Sequence, residues 1–269
     1  MRPKIGVALS SGGARGFAHL GVLRVLREEG IPIDAVSGSS MGALVAVLLA
    51  GGLDLDWCCR LASHLPRKTW LDFQMPGRGF IAGRRVLELL RMLTRGKRLE
   101  DLELPVAVVA TDLVRGEPVI FTEGPAAEAV RASISIPGVF EPVDAGDRLL
   151  VDGGVTQRVP VDVLREMGMD LVIAVDVMPA GDDRRVETML DVILRSLEVM
   201  ERERARLRAT VADFVFRPDV SGISPGSFSK AAECILRGQV EAQAQIGRLK
   251  RIIENWRNGE TDDEIPLAE

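Results

Sequence analysis

Gly38-Ser39-Ser40-Met41-Gly42 forms a G-x-S-x-G pentapeptide between a short β-rich run and an apolar helical stretch. A serine hydroxyl is a weak nucleophile unless a sharp strand-to-helix turn presents it beside a base and near donors for developing negative charge. Gly38 and Gly42 let the strand and the helix pass without Cβ clashes, and the helix start offers unpaired N–H groups beside the Ser40 hydroxyl. A second match, Gly222-Ile223-Ser224-Pro225-Gly226, places proline after the serine. Proline has no N–H to give an oxyanion, so this stretch reads as a loop.

The sequence offers few bases for such a serine. It holds two histidines, His19 and His64, and none follows residue 64, where a Ser-His-Asp order would need one. His19 suits a structural hydrogen bond. Three aspartates close β-rich runs: Asp112, Asp152 and Asp176. Ligands collect at the carboxyl ends of strands in open parallel sheets, which makes all three candidates. Asp152 is best placed, because Gly153 and Gly154 permit close approach, although Asp-Gly is also an ordinary turn. An unperturbed aspartate is a weak base near pH 7, so Asp152 needs its pKa raised by burial or acts through orientation.

A further strand-to-helix loop, Ser11-Gly12-Gly13-Ala14-Arg15-Gly16, has the consecutive glycines that let backbone N–H groups converge on an anion. A dinucleotide fingerprint ending at Gly16 would need glycine where Ser11 stands, and a Walker loop would need Gly-Lys-Ser/Thr. An oxyanion hole fits better, because a second strand-end loop carries the candidate nucleophile. Ser227-Phe228-Ser229-Lys230 matches S-x-x-K without the motifs that accompany it in penicillin-recognising enzymes.

The elements that must hold these loops are predicted strands at 4–9, 32–36, 105–111, 118–121, 148–152, 170–176 and 213–217. Predicted helices lie at 17–29, 42–50, 83–94, 160–167, 184–210 and 228–256. Most strands carry clustered Val, Ile and Leu, as strands buried on both faces do. The alternation predicts an α/β fold with a mostly parallel sheet and helices on both faces. One domain over 1–258 is expected, followed by an acidic, frayed tail from 259 to 269.

With 269 residues, 46% hydrophobic and 27% charged, the composition is that of an ordinary globular protein. A net charge of -5 argues against nucleic acid as a partner. Three cysteines make no disulfide framework, no metal-ligand cluster appears, and no stretch suits a membrane span or a signal-peptide core. No metal or cofactor and a cytoplasmic setting are expected. Residues 60–98 hold ten Lys and Arg against Asp72 and Glu88, mixed with Trp70, Phe73 and Phe80. That mixture suits a lid or a peripheral contact with an anionic membrane surface; a solvated helical face over an aromatic core is the plainer alternative.

The glycine loop, G-x-S-x-G, Val130-Arg131-Ala132-Ser133-Ile134-Ser135-Ile136-Pro137-Gly138-Val139-Phe140 and Asp152-Gly153-Gly154, in that order, resemble the patatin-like phospholipases, particularly small bacterial members. The resemblance spans residues 4–176. It implies a three-layer α/β/α fold and a Ser-Asp dyad with Ser40 as nucleophile and Asp152 as its partner, and it makes Gly12, Gly13, Ala14 and Arg15 the oxyanion loop, with the glycine N–H groups as donors. Ser11 stands where the family has the first of three glycines. The substrate implied is a fatty-acyl ester, a phospholipid or lysophospholipid. The same residues leave open acyl transfer to another acceptor, a non-catalytic acyl- or anion-binding regulator, and a homo-oligomer.

Overall fold

The clustered Val, Ile, Leu and Ala of the β-rich runs build a sheet that is covered on both faces. The computed structural model describes residues 2–75, 77–179, 186, 189–207 and 212–259. The chain begins β1 (Ile5–Leu9), α1 (Ala18–Glu28), β2 (Ala35–Ser39), α2 (Met41–Ala50), α3 (Leu55–His64), α4 (Arg67–Trp70), β3 (Gly79–Ile81) and α5 (Arg84–Leu93). It continues through β4 (Val106–Asp112), β5 (Glu117–Phe121), α6 (Ala126–Ser133), β6 (Gly138–Phe140), β7 (Val143–Ala145) and β8 (Arg148–Asp152). α7 (Val161–Glu166), β9 (Leu171–Val175), α8 (Met189–Leu207), β10 (Phe214–Phe216) and α9 (Ala231–Asn258) complete it.

Strands β10, β9, β1, β2 and β4 pair in parallel, while β5, β7 and β8 join antiparallel. This is the expected mostly parallel sheet flanked by helices. Side-chain size sorts its faces. Ile5, Val7 and Leu9 of β1 and Leu171, Ile173 and Val175 of β9 enter the large core with α1, α2 and α9. The intervening Ala8, Val172 and Ala174 face Val161 and Leu164 of α7 on the thinner side. Two-residue periodicity is therefore present, written in volume and not in polarity.

The register around β4 decides where the chemistry can sit. A strand has two edges, and β5 takes one of them over Val108–Asp112. On the other edge, β2 and β8 meet end to end: Ser39 lies opposite Val109, and Asp152 lies opposite Ala110. The carboxyl-end rule for parallel strands does not describe Asp152. Its strand is antiparallel, enters from the rim and ends inside the sheet.

α1 and α9 cross closely because both carry glycine at the contact. A Cβ on Gly21 would collide with the Ile235 carbonyl, and one on Gly238 with the Ala18 carbonyl. Gly238→Val is expected to cost about 3 kcal/mol or more, measured by urea unfolding, since neither backbone can retreat without opening the core.

All seven predicted strands form, but the elbow strand runs over 35–39 instead of 32–36. α3, α4, α6 and the three-residue strands β3, β6 and β7 were not anticipated. α3 did carry a start signal, for Asp54 Oδ1 accepts the Trp57 N–H at 2.7 Å. Parts of the predicted 184–210 helix beyond α8, and the tail from 260, lie outside the described residues.

Candidate active site

Ser40 occupies the turn between β2 and α2 with φ 54° and ψ -122°. Positive φ in a non-glycine residue costs about 1–3 kcal/mol, so neighbours must hold it. The Ser40 N–H donates to Ser133 Oγ at 2.8 Å, and the Ser133 hydroxyl donates onward to Val109 O at 2.5 Å. Leu44 N–H donates to Ser40 O at 3.2 Å as α2 begins. The elbow also presses against β1. A Cβ on Gly42 would strike the Leu9 and Ser10 carbonyls, and one on Gly38 would strike the Gly42 backbone.

The strained turn aims the hydroxyl at the carboxylate that ends β8. Ser40 Oγ–H donates to Asp152 Oδ2 at 2.5 Å. The other carboxylate oxygen, Oδ1, accepts Gly154 N–H at 2.8 Å, which fixes the plane of the group. Asp152 N–H donates to Ser135 O at 2.9 Å, and Thr111 Oγ1 donates to Asp152 O at 2.9 Å. Burial pushes the Asp152 carboxyl up to about 6, with the hydrogen bonds from Ser40 and Gly154 opposing that rise. The end-to-end meeting of β2 and β8 thus supplies both proximity and burial.

The glycine loop lies beside the pair. Ser11 N–H donates to Arg158 O at 2.9 Å and Ala14 N–H to Pro225 O at 2.7 Å. Among the described residues, the Gly12 and Gly13 N–H groups have no acceptor. Serine at position 11 is accommodated because its N–H is already spent on Arg158 and its φ is not positive. The Arg15 guanidinium turns away into the protein: Nε donates to Ile223 O at 2.6 Å, and Nη1 meets Glu198 Oε1 at 2.8 Å. The 222–226 loop therefore braces the glycine loop through the Pro225 and Ile223 carbonyls.

Two cavities meet at Ser40 and Gly13. One is apolar, lined by Phe17, Leu20, Met41, Leu44, Leu90, Trp70, Phe140 and Phe228. Phe228, from the S-x-x-K stretch, packs edge-on against Trp70 at 4.9 Å. The other is polar, lined by Gly12, Arg15, Asp152, Glu198 and Glu201. Among the described residues no group of three or more His, Cys, Asp or Glu gathers as a metal ion would require.

The remaining sequence candidates lie in other surroundings. His19 is buried, with Nε2 2.9 Å from Ser10 O, and burial drives its pKa down to about 4, so it stays neutral. Asp112, two positions beyond Ala110 on β4, is held below the usual carboxylate range by the hydrogen bond from Arg115 at 2.8 Å. Asp176 feels a strong upward push from burial, yet its bidentate pair with Arg158 outweighs it and lowers the pKa.

The 130–140 motif is legible in the sequence, but the roles of its residues are not. Ser133 and Ser135 of the 130–140 segment hold Ser40 and Asp152, and Arg131 bonds Gly83 O, Ala82 O and Glu141 O to seat that segment. Glu201 on α8 reaches the polar cavity, and burial pushes it up to about 8 against the opposing charge of Arg158. Nothing in the helical periodicity of 184–210 distinguishes Glu198 and Glu201 from its many solvated charges.

A family model described as patatin-like phospholipase matches residues 7–165. An uncharacterized NTE family protein of Mycobacterium tuberculosis is 40% identical over 190 residues, which is 69% of this chain and 52% of its own length. A patatin-like phospholipase domain-containing protein of Caenorhabditis elegans is 39% identical over 183 residues, covering 64% of this chain and 13% of its own. The crystal structure of VipD from Legionella pneumophila superposes with a TM-score of 0.69 at 16% identity, over 92% of this chain and 67% of its own. At that identity the likeness is one of fold. The chain spans about half the length of the mycobacterial relative and a smaller share of the nematode protein.

Proposed function

Because the chain belongs to the patatin-like phospholipase family, we propose that it hydrolyses fatty-acyl esters of the phospholipid or lysophospholipid class through an acyl-serine intermediate. The observation that carries this reading is the 2.5 Å hydrogen bond from Ser40 Oγ to a buried Asp152, at the mouth of an apolar cavity. In the first half-reaction Ser40 Oγ attacks the ester carbonyl carbon and its proton passes to Asp152 Oδ2. The carbonyl oxygen, now negative, is met by the Gly12 and Gly13 N–H groups. Collapse expels the alcohol, which takes the proton from Asp152, and the acyl chain stays on Ser40 with its tail among Phe17, Leu44 and Phe228. Water then repeats the sequence in reverse, attacking the acyl-serine while Asp152 takes and returns one proton.

The reading is tested by fatty-acid release from lysophosphatidylcholine by wild type, Ser40→Ala and Asp152→Asn, prepared identically. Release by the wild type alone supports it; equal release by all three overturns it. The pH dependence follows from the same carboxylate. Asp152 must be ionised to accept the proton, and its pKa is about 6 where an ordinary aspartate titrates near 4. Glu201, pushed up to about 8, is protonated and uncharged across this window. kcat/KM is expected to fall about tenfold per pH unit below roughly 6 and to level off above it. A profile that stays level down to the ordinary carboxylate range would remove Asp152 as the base.

A further inference from the structure

The apolar cavity at Ser40 has a thin outer wall. Leu61 of α3 with Leu89 and Leu93 of α5 line it from one side, and the same three side chains floor a groove on the outer surface between the two helices. The rim of that groove carries Trp57 and Met92, 40% and 69% exposed, together with Arg60 and Arg95. Large apolar side chains this exposed, gathered over one seam, mark a contact surface and not a solvated face.

Charge narrows the partner. Within residues 60–98, Arg78, Arg91 and Arg98 are tied up with Asp144, Glu128 and Glu100. Arg60 and Arg95 are exposed and form no ion pair among the described residues. The acid in the groove lining, Asp54, is already engaged by the Trp57 N–H at 2.7 Å and by Arg27 at 3.5 Å. Arg95 also sits at φ 53°, a position a glycine would take at lower cost. Two unpaired guanidinium groups flanking an exposed tryptophan and methionine are the pattern of a surface that rests on anionic headgroups and dips its apolar side chains among acyl chains. Among the described residues no helix is long and apolar enough to cross a membrane, so such a contact is made from one side.

We infer that the α3–α5 face docks on a bilayer carrying anionic lipid, and that the Leu61–Leu89–Leu93 seam is where an acyl chain passes from that bilayer to Ser40. The inference rests on the reading of the inner cavity as the acyl site. It assigns the basic, apolar segment a side: outward to the lipid, inward to the nucleophile.

The test is co-sedimentation of the full chain with vesicles of phosphatidylcholine alone and of phosphatidylcholine mixed with phosphatidylglycerol. Wild type is expected to bind the mixed vesicles in preference. Arg60→Glu/Arg95→Glu is expected to weaken that binding by about tenfold or more, and Met92→Asp to weaken it on both vesicle types. These positions are exposed, so hydrolysis of a water-soluble short-chain ester should be unchanged in all variants, which also reports that they fold. Variants that bind mixed vesicles as the wild type does would overturn the docking face. Equal wild-type binding to both vesicle types, or to neither, would overturn it too. Failure of the wild type to hydrolyse the soluble ester is a separate result and overturns the catalytic reading instead.

Discussion

Ser40→Ala is expected to lower acyl-ester hydrolysis by about a thousandfold or more, and Asp152→Asn to do nearly the same. The double variant should be little worse than either single one. In the proposed mechanism nucleophile and base act as a unit: without the hydroxyl there is nothing for the carboxylate to deprotonate, and without the carboxylate the hydroxyl keeps its proton. What separates the two variants is stability. Asp152 is wholly buried and its carboxyl titrates near 6 in the folded protein, against about 4 in an unfolded chain. The folded state therefore binds the proton more tightly, and stability falls as pH rises from about 4 through about 6. Above that window the ionised carboxylate costs the fold up to about 3 kcal/mol, the equivalent of the pKa difference. Asparagine has the same shape, keeps an oxygen for Gly154 N–H and carries no charge. Asp152→Asn should thus be more stable than wild type at pH 8 and lose that advantage at pH 4, measured by urea unfolding at both values. A variant inactive because it unfolds would show the reverse order.

Arg15→Ala is expected to cost about 3–5 kcal/mol of stability, and with it the activity, although Arg15 offers no free charge to a substrate. Its guanidinium is almost completely buried, and it joins three elements: the glycine loop that carries it, the 222–226 loop through Ile223 O, and α8 through Glu198. Removing one partner of a buried pair leaves the other charge in a low-dielectric setting, and Arg195 at 3.3 Å offsets only part of that for Glu198. Lysine is no substitute, because a point charge cannot donate in two fixed directions at once. Arg15→Lys is expected to fall between wild type and alanine. Thermal unfolding alongside soluble-ester turnover checks this. Full stability in Arg15→Ala with lost turnover would mean that the side chain meets the substrate directly.

Much of the fold was legible because strands buried on both faces leave long runs of Val, Ile, Leu and Ala, and their ends are punctuated by Gly and Asp. The β2 boundary was misplaced because Ser37, Gly38 and Ser39 look like loop residues. Ser37 is tolerated in the sheet since its hydroxyl donates to Pro160 O at 2.8 Å, a partner 123 positions away. β3, β6 and β7 escaped because three residues hold no periodicity, and β3 pairs with β6 across 56 intervening positions. The serine, the aspartate and the glycine loop were legible because each needs a residue type that few others can replace. Ser133, Glu198 and Glu201 were not, since serine and glutamate are common on helices and only their neighbours make them unusual, and Ser135 acts through a backbone carbonyl that any residue supplies.

By itself, then, the sequence determined which groups are present for chemistry: one serine on a strand-to-helix turn, no histidine placed to serve it, an Asp-Gly-Gly and a loop rich in glycine. Tertiary structure decided their relation. Ser40 and Asp152 are 112 residues apart and meet because β2 and β8 approach each other head-on along one edge of β4. That encounter also takes the carboxylate out of water, which raises its pKa toward that of a useful base. Neither the direction of β8 nor the dielectric around its last residue is written in local spacing. Both arise from the long-range pairing of strands, which no single segment encodes.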